Sequence, residues 1–287
     1  MVVVLTGLTT AAILFIVAVG LSLIFGTMRT INMAHGTFYM IGAFFVTITL
    51  SGLARHAGGF LLSLIIAAGI GALLGAVVEM LVLRRLYQSE HLLQLLATWA
   101  LMLILEELTL LVWGTSTHTG TIPAFLSGSI PVAGQPFPVY DLFLIGAAAV
   151  IALGLWLLIQ RTQLGRLIRA AVQDTELVMA LGVNVRRMYT QVFAIGALLS
   201  SLGGALIAPS TSSGPGMDVS IIIDAFIVSV IGGLGSIWGT AAGAVIIGLF
   251  QSVGSLVAPE LAGLAPYLVM VLVLIVRPQG LFGKVEA

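Results

Sequence analysis

Few side chains in this chain could carry chemistry. Its 287 residues include eleven acidic residues, eleven basic residues and no cysteine, and the formal net charge is zero. Disulfides, thiolate metal sites and cysteine nucleophiles are therefore excluded. The four histidines, His35, His56, His91 and His118, have no close metal-ligand spacing. No nucleophile, base and orienting group stand in a recognisable arrangement, so we expect neither catalysis nor a bound cofactor or metal ion.

Carboxylates that lie within long apolar runs are the strongest chemical candidates, and Glu106, Glu107 and Asp224 are of this kind. If those runs cross a membrane, an ionisable residue inside them is costly and marks a functional site by default. Glu106 and Glu107 are adjacent, so on a helix they point about 100° apart and at most one faces a narrow path. Alternatively, either is protonated or reaches water beyond Trp113.

Two further polar candidates, Asn32 and His35, lie in the segment from Arg29 to Gly36. A glycine beside them suits an irregular turn or a re-entrant element between two apolar runs. Support of this bend is the simpler role, and contact with a transported solute is the alternative. The candidates for a translocation path or gate are Asn32, His35, Glu106, Glu107 and Asp224.

The composition predicts a polytopic membrane protein. Hydrophobic residues make up 60% of the chain and charged residues only 8%, against about 25% charged in soluble domains. A spanning helix needs about 20 mostly apolar residues, and the long runs here lack the alternation of barrel strands. We therefore predict an all-α bundle in a single domain, 1–287, with about nine spans (eight to ten). The predicted spans are 4–26, 34–53, 60–83, 91–113, 140–160, 188–209, 219–235, 239–258 and 262–277.

Basic residues predict the orientation. Arg84 and Arg85, the segment 161–187, and Arg277 with Lys284 alternate along the spans with a basic-free loop at 114–139. Since cytoplasmic loops carry an excess of Lys and Arg, the N-terminus should lie outside and the C-terminus inside. Arg29 fits this scheme, and Arg55 is the exception. Prolines and glycines in 114–139 predict an irregular outer loop. The glycine-rich segment 229–240 is compatible with a tight turn or with a broken helix.

The segment 161–187 holds five of the eleven basic residues and its own helix signals. Asp174 can cap a helix from Thr175 to Leu181, with Glu176 in its first turn and Gly182 as a left-handed stop. Such a helix has about two turns and needs support from its neighbours. The residues Leu177, Val178, Met179 and Leu181 would then form an apolar knob on the cytoplasmic surface.

Two interpretations of this knob stay open on the residues alone. It could fold back on the bundle or rest among lipid headgroups as an amphipathic segment. It could instead dock as a helix into the groove of a soluble partner. The chain has no G-x-x-x-x-G-K-[ST] phosphate loop, and its only lysine is Lys284. ATP hydrolysis by that route would therefore need another polypeptide.

Several segments resemble the permease family of branched-chain amino-acid ABC importers. The most specific are N-x-A-H-G at 32–36 and R-P-x-G-L-F-G at 277–283, accompanied by GRLIRAAVQDTELVMALGVNVRRMYTQVF from 165 and FIVSVIGGLGSIWGTAAGAVIIG from 226. The resemblance runs over nearly the whole chain. It implies a bacterial inner-membrane importer that works with a second related permease chain (a heterodimer rather than a homodimer), two cytoplasmic ATPases, a periplasmic substrate-binding protein and membrane lipid.

The resemblance also implies that the segment around 170–184 is the ATPase-coupling loop. A glutamate usually precedes the alanine pair of this motif, and Arg169 replaces it here. With the family in view, docking becomes the favoured interpretation of the knob. The residues assigned to ATPase coupling are Ala170, Ala171, Asp174, Glu176, Leu177, Val178, Met179, Leu181 and Gly182.

The sequence therefore predicts an importer permease for branched-chain or related small amino acids. An ion- or proton-coupled secondary transporter is the alternative, with Glu106, Glu107 and Asp224 as coupling carboxylates. Related-looking permeases also serve urea, short amides and aromatic acids, and no side chain in the spans identifies the substrate. A neutral net charge argues against a nucleic-acid partner.

Overall fold

The computed structural model describes residues 1–49, 51–53 and 56–283. Arg55 and Lys284, which enter the orientation prediction, lie outside the described residues. Helices dominate the described part of the chain, in agreement with the predicted all-α class. The α-helices are α1 Val2–Met28, α2 His35–Phe44, α3 Ala57–Leu81, α4 His91–Trp113, α5 Val139–Arg161, α6 Gln163–Gln173, α7 Thr175–Ala180, α8 Val185–Ile207, α9 Met217–Gly232, α10 Ile237–Val257 and α11 Ala265–Val276.

Every predicted span overlaps a helix of the described residues, but the helices are unequal. Six are long and apolar enough to cross a membrane alone, namely α1, α3 with its short extension to Arg85, α4, α5, α8 and α10. The other three predicted spans correspond to α2, which continues as a π-helix from Phe45 to Thr49, to α9 and to α11. At 1.5 Å per residue these three are about 18–24 Å long, less than the hydrocarbon thickness of about 30 Å.

One end of the bundle collects the segments that the sequence predicts to be basic and cytoplasmic. Gly26 packs against Gly235, and Gly233 packs against Gly283. Arg84 donates to Thr190 at the start of α8 with a distance of 2.8 Å. The glycine-rich segment 229–240 forms a turn here, because α9 ends at Gly232 and α10 starts at Ile237, with positive φ at Gly233 and Gly235.

The helix α2 begins inside the bundle. Its first residue, His35, has Nε2 3.0 Å from the carbonyl oxygen of Val17, near the middle of α1. Ser200 of α8 donates to the His35 carbonyl oxygen at 2.6 Å. Residues 29–34 therefore run without helix from the end of α1 back to mid-depth. Non-helical backbone at this depth is tolerated only where protein buries it or where it lines a cavity.

The helix α9 also begins inside the bundle, approached from the opposite end. Ser213, which lies in a two-residue ladder with the 118–119 segment, is 3.2 Å from Thr47 at the far end of the α2 helix. Five residues later, Asp218 accepts a hydrogen bond from Thr37 in the first turn of α2. The first turns of α2 and α9 thus meet in the interior, and each helix leaves that point towards a different end.

Small residues allow close contacts between the helices. A Cβ at Gly71 or Gly75 of α3 would overlap Ser201 or Ala197 of α8, and one at Gly204 would overlap the Tyr39 carbonyl. Hydroxyl groups bridge the same interfaces, as where Ser201 donates to the Ala67 carbonyl oxygen at 2.8 Å. Close backbone approach and interhelical hydrogen bonds replace the hydrophobic driving force that lipid cannot supply.

The 114–139 segment is more regular than predicted. It contains β1 (His118–Thr119), β2 (Ser129–Val132) and β3 (Gln135–Pro138), and β1 pairs with β4 (Ser212–Ser213). The β2–β3 hairpin turns through Ala133 and Gly134, which both have positive φ. A two-residue turn with positive φ at both positions matches the twist of a hairpin. The prediction of a wholly irregular loop was therefore wrong, because Pro and Gly signals mark hairpin turns as well as loops.

We expect Gly204→Val to destabilise the bundle by about 1–3 kcal/mol, because the added side chain would force α8 away from α2. Thermal unfolding of the purified protein in detergent measures the change. The matched control is Gly146→Val on α5, where no atom of another helix or loop lies within 4 Å of the added Cβ. Equal midpoints for the two variants would contradict this description of the α2–α8 contact.

Candidate functional site

The segment between α5 and α8 folds as two helices, α6 and α7, and the sequence predicts the residues that begin and end α7. Asp174 accepts a hydrogen bond from the Leu177 amide at 2.9 Å, and Gly182 has φ 82°. The predicted helix is α7, with Glu176 in its first turn, and it ends at Ala180, one residue before the predicted end. Upstream, α6 is a separate helix whose N-terminus Thr162 caps by accepting from the Gly165 amide at 3.1 Å.

The predicted apolar knob is confirmed for three of its four residues. Leu177, Met179 and Leu181 are 57%, 52% and 74% exposed. Val178 is only 4% exposed and packs with Ile168, Val185 and other residues of α6 and α8. The prediction for Val178 was therefore wrong, because in a two-turn helix one face must pack on the bundle for the helix to be held.

The coupling candidates divide in the same way between an exposed and a buried face. Ala171 is buried, whereas Ala170, Asp174, Glu176 and Gly182 are exposed. Ala171 and Val178 belong to one apolar cluster with Leu23 of α1 and Met188 of α8. The helix that carries the exposed knob therefore packs on the last turns of α1 and the first turns of α8.

A polar cavity of about 310 Å³ lies beside this apolar cluster. Its lining includes Gly26 to Arg29 at the end of α1, residues 171–175, and Tyr189 of α8. Solvent can therefore reach between the end of α1 and the α6–α7 junction.

A half-buried ion pair at the end of α3 is bonded to α8 through Thr190. Glu79 is fully buried and accepts from Arg84 at 3.2 Å and from Thr190 of α8 at 2.6 Å, as well as from the Tyr87 hydroxyl. A buried carboxylate needs such partners, since an unpaired one would be strongly destabilising. Thr190 and Tyr87 lie 111 and 8 residues from Glu79, and the sequence carries no signal that pairs them with it.

Asn32 and His35 lie together at the start of α2, where both are fully buried. Neither side-chain atom of Asn32 has a hydrogen-bond partner, and His35 Nδ1 also lacks one. Gly20 leaves room for the imidazole, because a Cβ there would be 3.0 Å from His35 Cε1. Three unpartnered polar atoms in a buried, non-helical segment are expensive to maintain, which makes this point a candidate for contact with a solute.

The three candidate carboxylates are not brought together. Glu107 is exposed on α4, whereas Glu106 is partly buried beside the Gly216 amide and near Asp218. Asp224 lies one to two turns further along α9, where it interacts electrostatically with Tyr39. The carboxylate that Glu106 faces is thus Asp218, which sequence reasoning missed because it falls just before the predicted start of the seventh span.

At the opposite end, a cavity of about 560 Å³ opens between the α2 helix end and the 119–127 segment. Threonine and serine hydroxyls contribute to its lining, among them Thr47, Ser51, Thr119 and Thr121. Among the described residues, no group of three or more His, Asp or Glu side chains converges as a metal site.

Comparison with known proteins gives a consistent result. The family described as "Branched-chain amino acid transport system / permease component" matches residues 3–274. The high-affinity branched-chain amino acid transport system permease protein BraD of Pseudomonas aeruginosa is 26% identical over 98% of this chain and 94% of its own length. For the permease protein LivH of Escherichia coli K12 the identity is 25% over the same shares.

A more distant likeness is to the ribose import permease protein RbsC of Escherichia coli K12, with 29% identity over 83% of this chain and 73% of that protein. No solved structure matches the chain.

We expect Asp174→Ala to loosen α7, because the Leu177 amide loses its cap. Loss of an N-cap costs about 0.5–2 kcal/mol, so amide exchange across 175–180 should accelerate by roughly 2- to 30-fold. Hydrogen exchange with mass spectrometry measures this, and Gln173→Ala, just outside α7, is the control. Unchanged exchange in Asp174→Ala would show that α7 does not depend on its cap.

Proposed function

The chain belongs to the branched-chain amino acid transport system permease family, and we propose that it carries branched-chain or related small amino acids inward across the bacterial inner membrane. In this proposal it is a non-catalytic subunit, and ATP is hydrolysed on partner chains. The observation that carries the proposal is the capped helix α7, whose exposed apolar side chains stand at the end of the bundle that gathers the basic residues. An autonomous carrier has no need of such a helix.

Docking of an ATPase is supported by the geometry of the knob. Leu177, Met179 and Leu181 are more than half exposed, and an apolar helix face of this size fits helix-in-groove recognition. The buried side of α6 and α7 packs on α1 and α8. Closure of an ATPase pair would push α7, and the packed cluster would transmit the displacement to α1 and α8. Asp174 caps α7, Glu176 lies in its first turn and Gly182 ends it, while Ala171 belongs to the packed cluster.

The orientation follows from the same end of the molecule. With α7, Arg84, Arg85 and Arg277 on the cytoplasmic side, the N-terminus is outside and the C-terminus inside. The 560 Å³ cavity then faces the periplasm, which is where a binding protein would deliver substrate.

The exposed apolar surface of the chain indicates partners that would cover it. Exposed apolar side chains cover α4, among them Leu103, Leu108 and Leu111, and they need lipid or a second permease to cover them. We propose a second related permease chain, two cytoplasmic ATPases and a periplasmic binding protein. A heterodimer is favoured over a homodimer by the family resemblance alone.

The path in this proposal passes the interior point where α2 begins. Asn32 and His35 supply unpartnered polar atoms there, and Glu106 approaches from α4. Asp224 and Glu107 lie away from this point, Asp224 further along α9 and Glu107 on the exposed face of α4. Weak binding suffices along the path, because the separate binding protein would hold the affinity.

We expect Leu177→Asp and Met179→Asp to abolish ATPase association while leaving membrane insertion intact, because a buried unpaired carboxylate in the groove is costly. Co-purification of the tagged permease with its ATPases measures the effect. Controls are Leu177→Met, which keeps the apolar contact, and Ile130→Asp, which places the same charge on an exposed apolar site of the β2–β3 hairpin. Normal co-purification of both Asp variants with the ATPases would contradict the docking of an ATPase on α7.

Reconstitution separates the importer from a secondary transporter. In proteoliposomes we expect uptake of L-leucine only when the ATPases, ATP and the binding protein are all present. Uptake driven by a proton gradient without ATPase or binding protein would instead support the carrier. Uptake of urea, a short amide or an aromatic acid under the importer conditions would keep the mechanism and correct the substrate.

A further inference from the structure

The meeting point of α2 and α9 carries a second feature, a pair of carboxylates at two helix N-termini. Gly36 is packed so closely on Asp218 that a Cβ there would overlap the Asp218 carbonyl oxygen. Each helix N-terminus is equivalent to roughly +0.5 elementary charge. When Asp218 and Glu106 are both ionised they bring two negative charges to this point, so about one negative charge is left uncompensated.

The Asp218 carboxylate lies where the first turns of α2 and α9 meet, and one of its two oxygens lacks a hydrogen-bond donor. It is completely buried, and its Oδ2 accepts from Thr37 Oγ1 at 3.3 Å. Its Oδ1 has no hydrogen-bond partner. Backbone amides of its own turn lie nearby, but none reaches Oδ1 in hydrogen-bond geometry. A buried carboxylate oxygen without a donor costs free energy that a ligand with N–H groups would recover.

Glu106 reaches the same point from a third helix. Its carboxylate lies beside the Gly216 amide and close enough to Asp218 for the two charges to repel each other. The neighbouring α4 residues one and two turns away, Met102 and Thr98, are fully buried on the same face. Thr98 donates to the Ile31 carbonyl oxygen at 3.3 Å, so this face of α4 lies along the non-helical segment before α2.

We propose that Asp218, together with Glu106 and Thr37, binds the α-ammonium group of the amino acid during its passage. An ammonium has three donors and one positive charge. It could therefore bond Asp218 Oδ1, Glu106 and the Thr37 hydroxyl, and it would neutralise the remaining charge. This assignment rests on the proposed amino-acid substrate and adds a specific recognition point to it, since a neutral solute would not require two carboxylates here.

The test uses proteoliposomes that hold the complete importer with its binding protein, and radiolabelled L-leucine as the probe. We expect Asp218→Asn to lower leucine uptake tenfold or more, since hydrogen bonds to charged groups are the strong ones, while assembly and basal ATP hydrolysis remain. Asp218→Glu should restore part of the uptake. Asp141→Asn is the matched control, because Asp141 also stands in the first turn of a helix, α5.

A binding measurement separates recognition from a folding role. Saturation-transfer NMR on the assembled complex would use isopentylamine, which keeps the ammonium, and 4-methylpentanoate, which keeps the carboxylate. We expect Asp218→Asn to lose the isopentylamine signal and to keep that of 4-methylpentanoate. Loss of both signals or of neither would overturn the site, as would a folded Asp218→Asn complex that imports leucine like the wild type.

The wild-type complex distinguishes this failure from failure of the proposed function. If it imports urea but no amino acid, the amino-acid substrate and the ammonium site are both wrong. If it imports leucine and Asp218→Asn does so equally well, the proposed function stands and the ammonium site alone is wrong.

Discussion

Backbone polar groups in hydrocarbon must be satisfied within the protein, and the arrangement of this chain depends on that constraint. Two segments lack helix at membrane depth, 29–34 before α2 and 214–216 before α9. The long helices enclose the first of these segments and the start of α2, with Val17 of α1 and Ser200 of α8 bonded to His35, and Thr98 of α4 bonded to Ile31. Glycines let the surrounding helices approach closely enough to do this.

The same contacts link the start of α2 in the interior to the apolar cluster under α7. The first turn of α2 is held by α1 and α8, and the inner ends of these two helices carry the apolar cluster under α7. A displacement of α7 would reach the point where Asn32, His35 and Asp218 meet through only two rigid elements. Glu79 of α3 is bonded to Thr190 of α8, so α3 would move with α8 in the proposed mechanism. Discontinuous helices at the membrane midplane are a recurring way to build a solute site.

Local signals in the sequence predicted the parts of the fold that depend on local physics. The apolar runs, the Asp174 cap and the Gly182 stop each depend on a few neighbouring residues; the structure confirms the cap and the stop and places a helix in each run, six of them long enough to cross a membrane. The buried face of α7 at Val178 depends on α6 and α8, so exposure was wrongly predicted there. The depth at which α2 and α9 begin depends on contacts more than 160 residues apart, such as Ser200 with His35. Composition could not reveal them, and it hid Asp218 at the edge of an apolar run.

Cysteine accessibility at the interior meeting point tests the account most directly, since the chain has no cysteine of its own. Single Asn32→Cys and Thr37→Cys variants of the complete importer would be treated with a membrane-impermeant cationic thiol reagent, with and without ATP and the binding protein. The account predicts that both positions react in one nucleotide state and are protected in another, and that leucine slows the reaction. Failure of both cysteines to react in every state, in a complex that still imports leucine, would contradict a path through this point.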